Sequence, residues 1–307
     1  MSRKSDKWNF IFALIAFAFF GLFVYFYLNQ PSDKVEENEH IGKSAEKKVE
    51  VIDFSKESSG RKTNITSISK GLLYAGEPIR TTYPNKITIL KNEGFIVGYD
   101  EKRRNPAWVA YKVRSCISGK SLVCYIGLKR PTRFMVDYRT ITQVKAKEYN
   151  RSKYDRGHMA PNHAIALHYG ENAQRETFLM SNVIPQRPSL NRGVWKEIEH
   201  AISDDYAERL EEVWVFVGPI YDPKIPDKFL KRTGIEIPDR FYAVVLDELK
   251  GRPRAMAFVV PQDVSINVDP SQFIVSVDEV EKQSGFDFFS GLEDAREEKM
   301  EQEKVRL

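Results

Sequence analysis

Residues 8–28 contain no Asp, Glu, Lys, Arg or His, and this run narrows the possible folds more than any other feature of the chain. As a helix rising about 1.5 Å per residue it spans roughly 30 Å of hydrocarbon. A single transmembrane anchor is therefore predicted over 8–28, separate from any globular core. Arg3, Lys4 and Lys7 precede it, so residues 1–7 are expected in the cytoplasm and the remainder on the exported side, periplasmic or extracellular in a bacterium. A cleaved signal peptide is the alternative, but the run exceeds the usual apolar core of one and no small-x-small cleavage site precedes Asn29-Gln30-Pro31. A mitochondrial inner-membrane anchor, with the domain in the intermembrane space, is a further reading.

Residues 29–69 follow as a linker. From Pro31 to Lys62 they are dominated by Lys, Glu, Asp and Ser, too poor in apolar side chains to offset the entropy of ordering. Within them, Asn64-Ile65-Thr66 fits a glycosylation acceptor, meaningful only in a eukaryotic secretory setting. Residues 291–307 are a charged tail, read as a solvated helix from Asp294 to Arg306. One domain is thus expected over 70–290, and a composition of 42% hydrophobic and 12% aromatic residues supports a substantial core. The net charge of +4 is compatible with a polyanionic ligand without identifying one.

Apolar alternation and runs predict strands between Gly94 and Ile126, at Val213–Val217, Phe241–Leu246 and Met256–Val260, with helices after Asn191 and near Val277–Ser284. This order lacks regular βα alternation, so the fold class is α+β. Val109–Val113 and Leu122–Ile126 read as two strands of a hairpin turning at Gly119. Such a hairpin brings Cys116 and Cys124 close enough to bridge, while two free thiols are the other reading. Two cysteines alone cannot build a structural zinc site.

The chemistry concentrates at Tyr154-Asp155-Arg156-Gly157-His158-Met159-Ala160-Pro161. An imidazole accepts a proton near neutral pH, a guanidinium grips phosphate oxygens, and glycine lets the chain bend so that its neighbours converge. A general base beside an anion clamp suggests phosphodiester chemistry. His163 and His168 follow at intervals of five, which on one helix leaves successive rings about 140° apart; they read as bystanders. His40 and His200 show no partner pattern.

Two downstream segments, Phe178-Leu179-Met180-Ser181-Asn182-Val183-Ile184-Pro185-Gln186 and Leu190-Asn191-Arg192-Gly193-Val194-Trp195-Lys196-Glu197-Ile198-Glu199, together with the central motif, resemble the DNA/RNA non-specific endonucleases. These are the ββα-metal nucleases that include the Serratia-type enzyme and mitochondrial endonuclease G. Gly98-Tyr99-Asp100, Asn105-Pro106-Ala107-Trp108-Val109-Ala110-Tyr111, Val217-Gly218-Pro219-Ile220-Tyr221, Ile237-Pro238-Asp239-Arg240-Phe241-Tyr242, Val277-Asp278-Glu279-Val280-Glu281-Lys282 and Gly285-Phe286-Asp287-Phe288-Phe289 continue the resemblance in order. It spans about residues 70–290.

The resemblance implies a central antiparallel sheet flanked by helices. It also implies hydrolysis of DNA and RNA met through their phosphates, one Mg²⁺-type ion with Mn²⁺ able to substitute, and His158 as the base. Arg156 would hold the scissile phosphate, Asn191 would bind the ion directly and Glu199 through a water, and Asn182 would be a supporting active-site group. Asp155 is expected to orient its loop. A second phosphate-binding arginine is expected from the strand before the centre, either Arg130 or Arg133. Asn191 and Glu199 are eight residues apart, about 12 Å on one straight helix, which favours the water-mediated role for Glu199. Some members are dimers, so a homodimer is admitted. The rival readings are a membrane-tethered nucleic-acid-binding module without activity and a small-molecule phosphodiesterase.

Overall fold

In the computed structural model, residues 71–82, 85–116 and 124–304 are described. The predicted anchor at 8–28, the linker up to residue 69, the Asn64 acceptor and His40 lie outside them. Among the described residues no helix is long and apolar enough to cross a membrane.

The elements run β1 (Ile79–Arg80), β2 (Ile87–Lys91), β3 (Phe95–Asp100), β4 (Asn105–Arg114), β5 (Asp155–His158), α1 (Asn162–Glu176), β6 (Val183–Gln186), α2 (Pro188–Asn191) and α3 (Val194–His200). A π-helical stretch (Ala201–Tyr206) joins α3 to α4 (Ala207–Leu210). Then come β7 (Glu212–Ile220), β8 (Arg240–Leu249), β9 (Arg252–Pro261), β10 (Ile274–Val275), α5 (Val277–Ser284), β11 (Phe286–Asp287) and α6 (Asp294–Gln302). Seven strands form one antiparallel sheet in the order β10-β9-β8-β7-β4-β3-β2. This is the mixed sheet-and-helix architecture expected.

Successive side chains of a strand point to opposite faces, and here both faces are covered, so the central strands are apolar almost throughout. Val109, Tyr111, Val215, Val217, Ala243 and Val245 face a cluster containing Leu190, Trp195, Ile198 and Ile202. Trp108, Ala110, Phe216, Tyr242, Val244 and Leu246 face another containing Val277, Val280, Phe286, Phe288 and Met300. Strands β5 and β6 form a separate antiparallel pair, His158 opposite Val183 and Asp155 opposite Gln186.

Two expectations fail for physical reasons. No strand forms at Cys124–Ile126, because β4 is hydrogen-bonded to β3 on one edge and β7 on the other; a hairpin partner has no free edge to join. The segment instead leans on α1, with the Tyr125 N–H donating to the Leu167 carbonyl. Cys116 and Cys124 are nevertheless joined as a disulfide, which decides between the two readings of that pair. The charged tail forms α6 as expected, but it is not wholly solvated: Met300 and Glu301 are buried.

Trp195 ties α3 to the sheet, fully buried with its ring 5.7 Å from that of Phe241. Trp195→Ala is expected to lower the unfolding free energy by about 3–5 kcal/mol, measured by urea denaturation; a loss under 1 kcal/mol would remove Trp195 as the anchor.

Candidate active site

The motif residues open onto a single cleft of about 220 Å³, lined among others by Arg130, Arg156, His158, Asn191, Lys196 and Glu199. His158 ends β5, held at this edge by pairing with β6. That pairing requires glycine at 157, because a Cβ there would stand 2.0 Å from Oε1 of the fully buried Gln186.

His158 lies between two aromatic rings, 5.3 Å from Phe134 and 4.8 Å edge-on from Phe178. Its Nε2 is out of solvent and has no protein hydrogen-bond partner. Burial, with a smaller contribution from the Arg130 guanidinium, pushes its pKa down to about 3. At neutral pH the ring is therefore uncharged and able to accept a proton.

Arg156 is partly tethered: Nε donates to the Ala146 carbonyl (3.2 Å) and Nη2 to Asn150 Oδ1 (2.9 Å), with the guanidinium 5.4 Å from the Phe134 ring. Arg130 is exposed, 5.3 Å over the Phe178 ring. Of the two candidate arginines it is Arg130 that lines the cleft; Arg133 is exposed and is not among the lining residues. The segment bearing both is irregular rather than a strand.

Asn191 and Glu199 do not share one straight helix. Asn191 ends α2, the chain breaks at Arg192-Gly193, and Glu199 sits near the end of α3. Gly193 permits the break, since a Cβ there would lie 2.4 Å from the Ser189 carbonyl oxygen. Asn191 Nδ2 donates to Asp155 Oδ2 at 2.9 Å, while Arg192 donates from Nε and Nη2 to the same carboxylate at 2.8 and 2.7 Å. A carboxylate only accepts, so this contact fixes which end of the amide is nitrogen and leaves Asn191 Oδ1 free. Asp155 thus ties β5 to the break between α2 and α3.

Burial raises the Glu199 pKa to about 8, with Trp195 and then Arg130 only partly offsetting it. An amide oxygen without a donor and a carboxyl that resists ionisation form an all-oxygen set, the kind a hard divalent cation accepts while keeping most of its waters.

Asn182 departs from its expected place. Fully buried, it accepts from the Ala160 N–H (2.8 Å) and donates to the Ala160 and Thr177 carbonyls (both 3.0 Å). Its polar atoms are committed to backbone, and it braces the turn after His158 instead of lining the cleft. Conversely, His163 and His200 do line it, stacked 6.1 Å apart, with His200 Nδ1 2.9 Å and His163 Nε2 3.8 Å from Asp204. The helical-spacing argument misplaced His163 because His158 is on a strand and His163 on α1. It holds for His168, which shares α1 with His163 and lies away from the cleft, near the disulfide. Lys196, Asn162 and Ser203 are further lining residues without a sequence signal of their own.

A model of the DNA/RNA non-specific endonucleases matches residues 77–295. The chain belongs to this family. The mitochondrial nuclease EXOG of Danio rerio is 30% identical over 213 residues, 64% of this chain and 60% of that protein. A nuclease of Nostoc is 30% identical over 248 residues, covering 74% and 82%. The chain thus spans less than two thirds of the EXOG relative's length. An EndoG structure, solved in complex with EndoGI, shares the fold at a TM-score of 0.60 and 24% identity, covering 70% of this chain and 90% of that one.

Glu199 gives this family member a measurable pH signature. Its folded pKa of about 8 exceeds the ordinary 4.5, so protonation favours the folded state; that stability is fully present below about 4.5 and is lost as pH rises through 8. In EDTA, Glu199→Gln should leave the melting temperature near that of the parent at pH 5 and raise it at pH 8.5, by roughly 2–4 °C per kcal/mol relieved. Equal shifts at both pH values, read by circular dichroism, would contradict the assignment.

Proposed function

We propose that this chain is a metal-dependent endonuclease of the ββα-metal type that hydrolyses phosphodiester bonds of DNA and RNA without sequence preference. The observation that carries this reading is the convergence on one cleft of an uncharged imidazole with an unpartnered Nε2, two guanidinium groups and two oxygen donors.

His158 Nε2 takes the proton of the attacking water, oriented by Phe134 and Phe178. Arg156 and Arg130 hold the non-bridging oxygens of the phosphate, where charge grows in the transition state. Asn191 holds a Mg²⁺-type ion directly and Glu199 holds it through a water, with Mn²⁺ an acceptable substitute. The ion, when bound, supplies Lewis-acid stabilisation of the leaving oxygen. Asp155 keeps the Asn191 oxygen aimed into the cleft, and Asn182 keeps the turn after His158 in place.

The family relationship supports nucleic acid as substrate, and contact through phosphates leaves base sequence unread. The anchor at 8–28 would tether the enzyme on the exported side of a membrane; the mitochondrial names of several relatives favour the intermembrane space as the alternative. A homodimer is retained as a proposal only.

Nicking of supercoiled plasmid, with and without EDTA, is the direct test. His158→Ala should lower the rate by about 10²- to 10⁴-fold while nucleic-acid affinity stays close to that of the parent. Near-normal turnover by a folded variant would remove His158 from the mechanism. Arg156→Lys should also be damaging, since an ammonium lacks the planar fork. Binding should weaken steeply between about 50 and 200 mM salt; a salt-insensitive rate or one dominant cut sequence would favour a small-molecule or sequence-specific phosphodiesterase.

A further inference from the structure

Six of the eight residues from Asp294 to Glu301 in helix α6 are charged, all but Ala295 and Met300, yet the helix does not lie free in solvent. Met300 enters the core beside α5, on the sheet face opposite Trp195. Its neighbour Glu301 is only 7% exposed, and its Oε1 is out of solvent with no hydrogen-bond partner. Glu297 Oε1 is equally buried and unpartnered.

Glu301 points at two acids of α5. One carboxylate oxygen from each of Asp278, Glu281 and Glu301 lies within 4.8 Å of the other two. Among the described residues no basic side chain is paired with them. Of the basic side chains on α5 and α6, Lys282 is paired with Glu279, Arg296 with Glu293, and Lys299 faces a separate groove beside Arg252 and Arg254. Among the described residues the one donor reaching the group is the Phe288 N–H, to Glu281 Oε1 at 2.7 Å. A buried carboxylate oxygen without a donor is costly, and three that converge repel one another as well.

A shared cation relieves both penalties. Two oxygens on one ion can be no farther apart than twice the metal–oxygen distance, about 4.6–5.2 Å for Ca²⁺ and about 4.0–4.2 Å for Mg²⁺. Oxygens within 4.8 Å of one another can share such an ion, and an irregular set of carboxylates suits Ca²⁺, which tolerates flexible geometry, better than Mg²⁺, which demands a near-ideal octahedron. We propose that Asp278, Glu281 and Glu301 form a Ca²⁺ site that clips α6 onto α5, distinct from the cleft and independent of the nuclease reading.

The test uses the full-length chain carrying Asn191→Ala, so that ion binding in the cleft is removed, stripped with chelator and titrated calorimetrically with CaCl₂ and with MgCl₂. One Ca²⁺ per chain is expected, with a Kd between about 10 µM and 1 mM and Mg²⁺ at least tenfold weaker. Glu301→Gln should weaken Ca²⁺ binding at least tenfold and raise the melting temperature in chelator. Asp278→Asn, at an exposed position where folding is not at stake, should weaken binding in the same way. No Ca²⁺ bound, or binding untouched by both substitutions, would overturn the proposal. So would a melting temperature that rises on acidification and not with Ca²⁺, which would show the carboxyls sharing protons instead.

Discussion

The Asp155 carboxylate holds the site together. It accepts from Asn191 and twice from Arg192, and so joins the first residue of β5 to the break between α2 and α3. The candidate base, His158, is the last residue of that strand, and the candidate ligands Asn191 and Glu199 lie on either side of that break. Without this contact a strand pair and a helix pair would merely adjoin. With it, one strand sets the position of His158 while its other end sets the direction of the Asn191 amide. Two close approaches make the arrangement possible, at Gly157 against Gln186 and at Gly193 against the Ser189 carbonyl. Either glycine replaced by a larger residue would push apart what Asp155 draws together.

The cleft is electrostatically expensive. His158 is kept uncharged by burial beside Arg130, and Glu199 is kept from ionising by burial with little compensating charge. Both penalties fall on groups whose proposed chemistry needs them: an uncharged base, and a carboxyl whose ionisation an incoming cation would favour. Stability for this comes from elsewhere, from a seven-stranded sheet with apolar residues packed on both faces. Trp195 and Ile198 belong to that core and share α3 with Glu199, so a well-packed helix face supports a side chain that burial penalises.

What could be read from the sequence followed from how locally each feature is determined. β7, β8 and β9 were visible because burial on both faces leaves nearly continuous apolar runs, and α5 because Ser276 caps it and Gly285 ends it in the left-handed region. The Asp155–His158 motif was legible because its residue types are scarce and chemically explicit. Long-range facts were not. That β4 already has two partners is invisible at Cys124–Ile126, where the predicted hairpin strand does not form. The positions of His163 and His200 depend on how α1 and α3 meet across the cleft, and a spacing rule for one helix cannot see that. Asn182 carries the polarity of an active-site group, but only the backbone folded around it shows that its atoms are already used. In the same way the charge of α6 hides the one large apolar residue, Met300, that draws it onto the domain.

In the proposed mechanism, Asp155 sets the Asn191 oxygen for an ion. Asp155→Ala removes that restraint without touching His158, Arg156 or Arg130. Plasmid cleavage should be followed as a function of Mg²⁺ concentration in the parent and the variant, with the melting temperature as a check on folding. The half-saturating Mg²⁺ concentration should rise about 10- to 100-fold, with much of the rate recovered at saturation. An unchanged Mg²⁺ dependence in a folded Asp155→Ala chain would contradict the account.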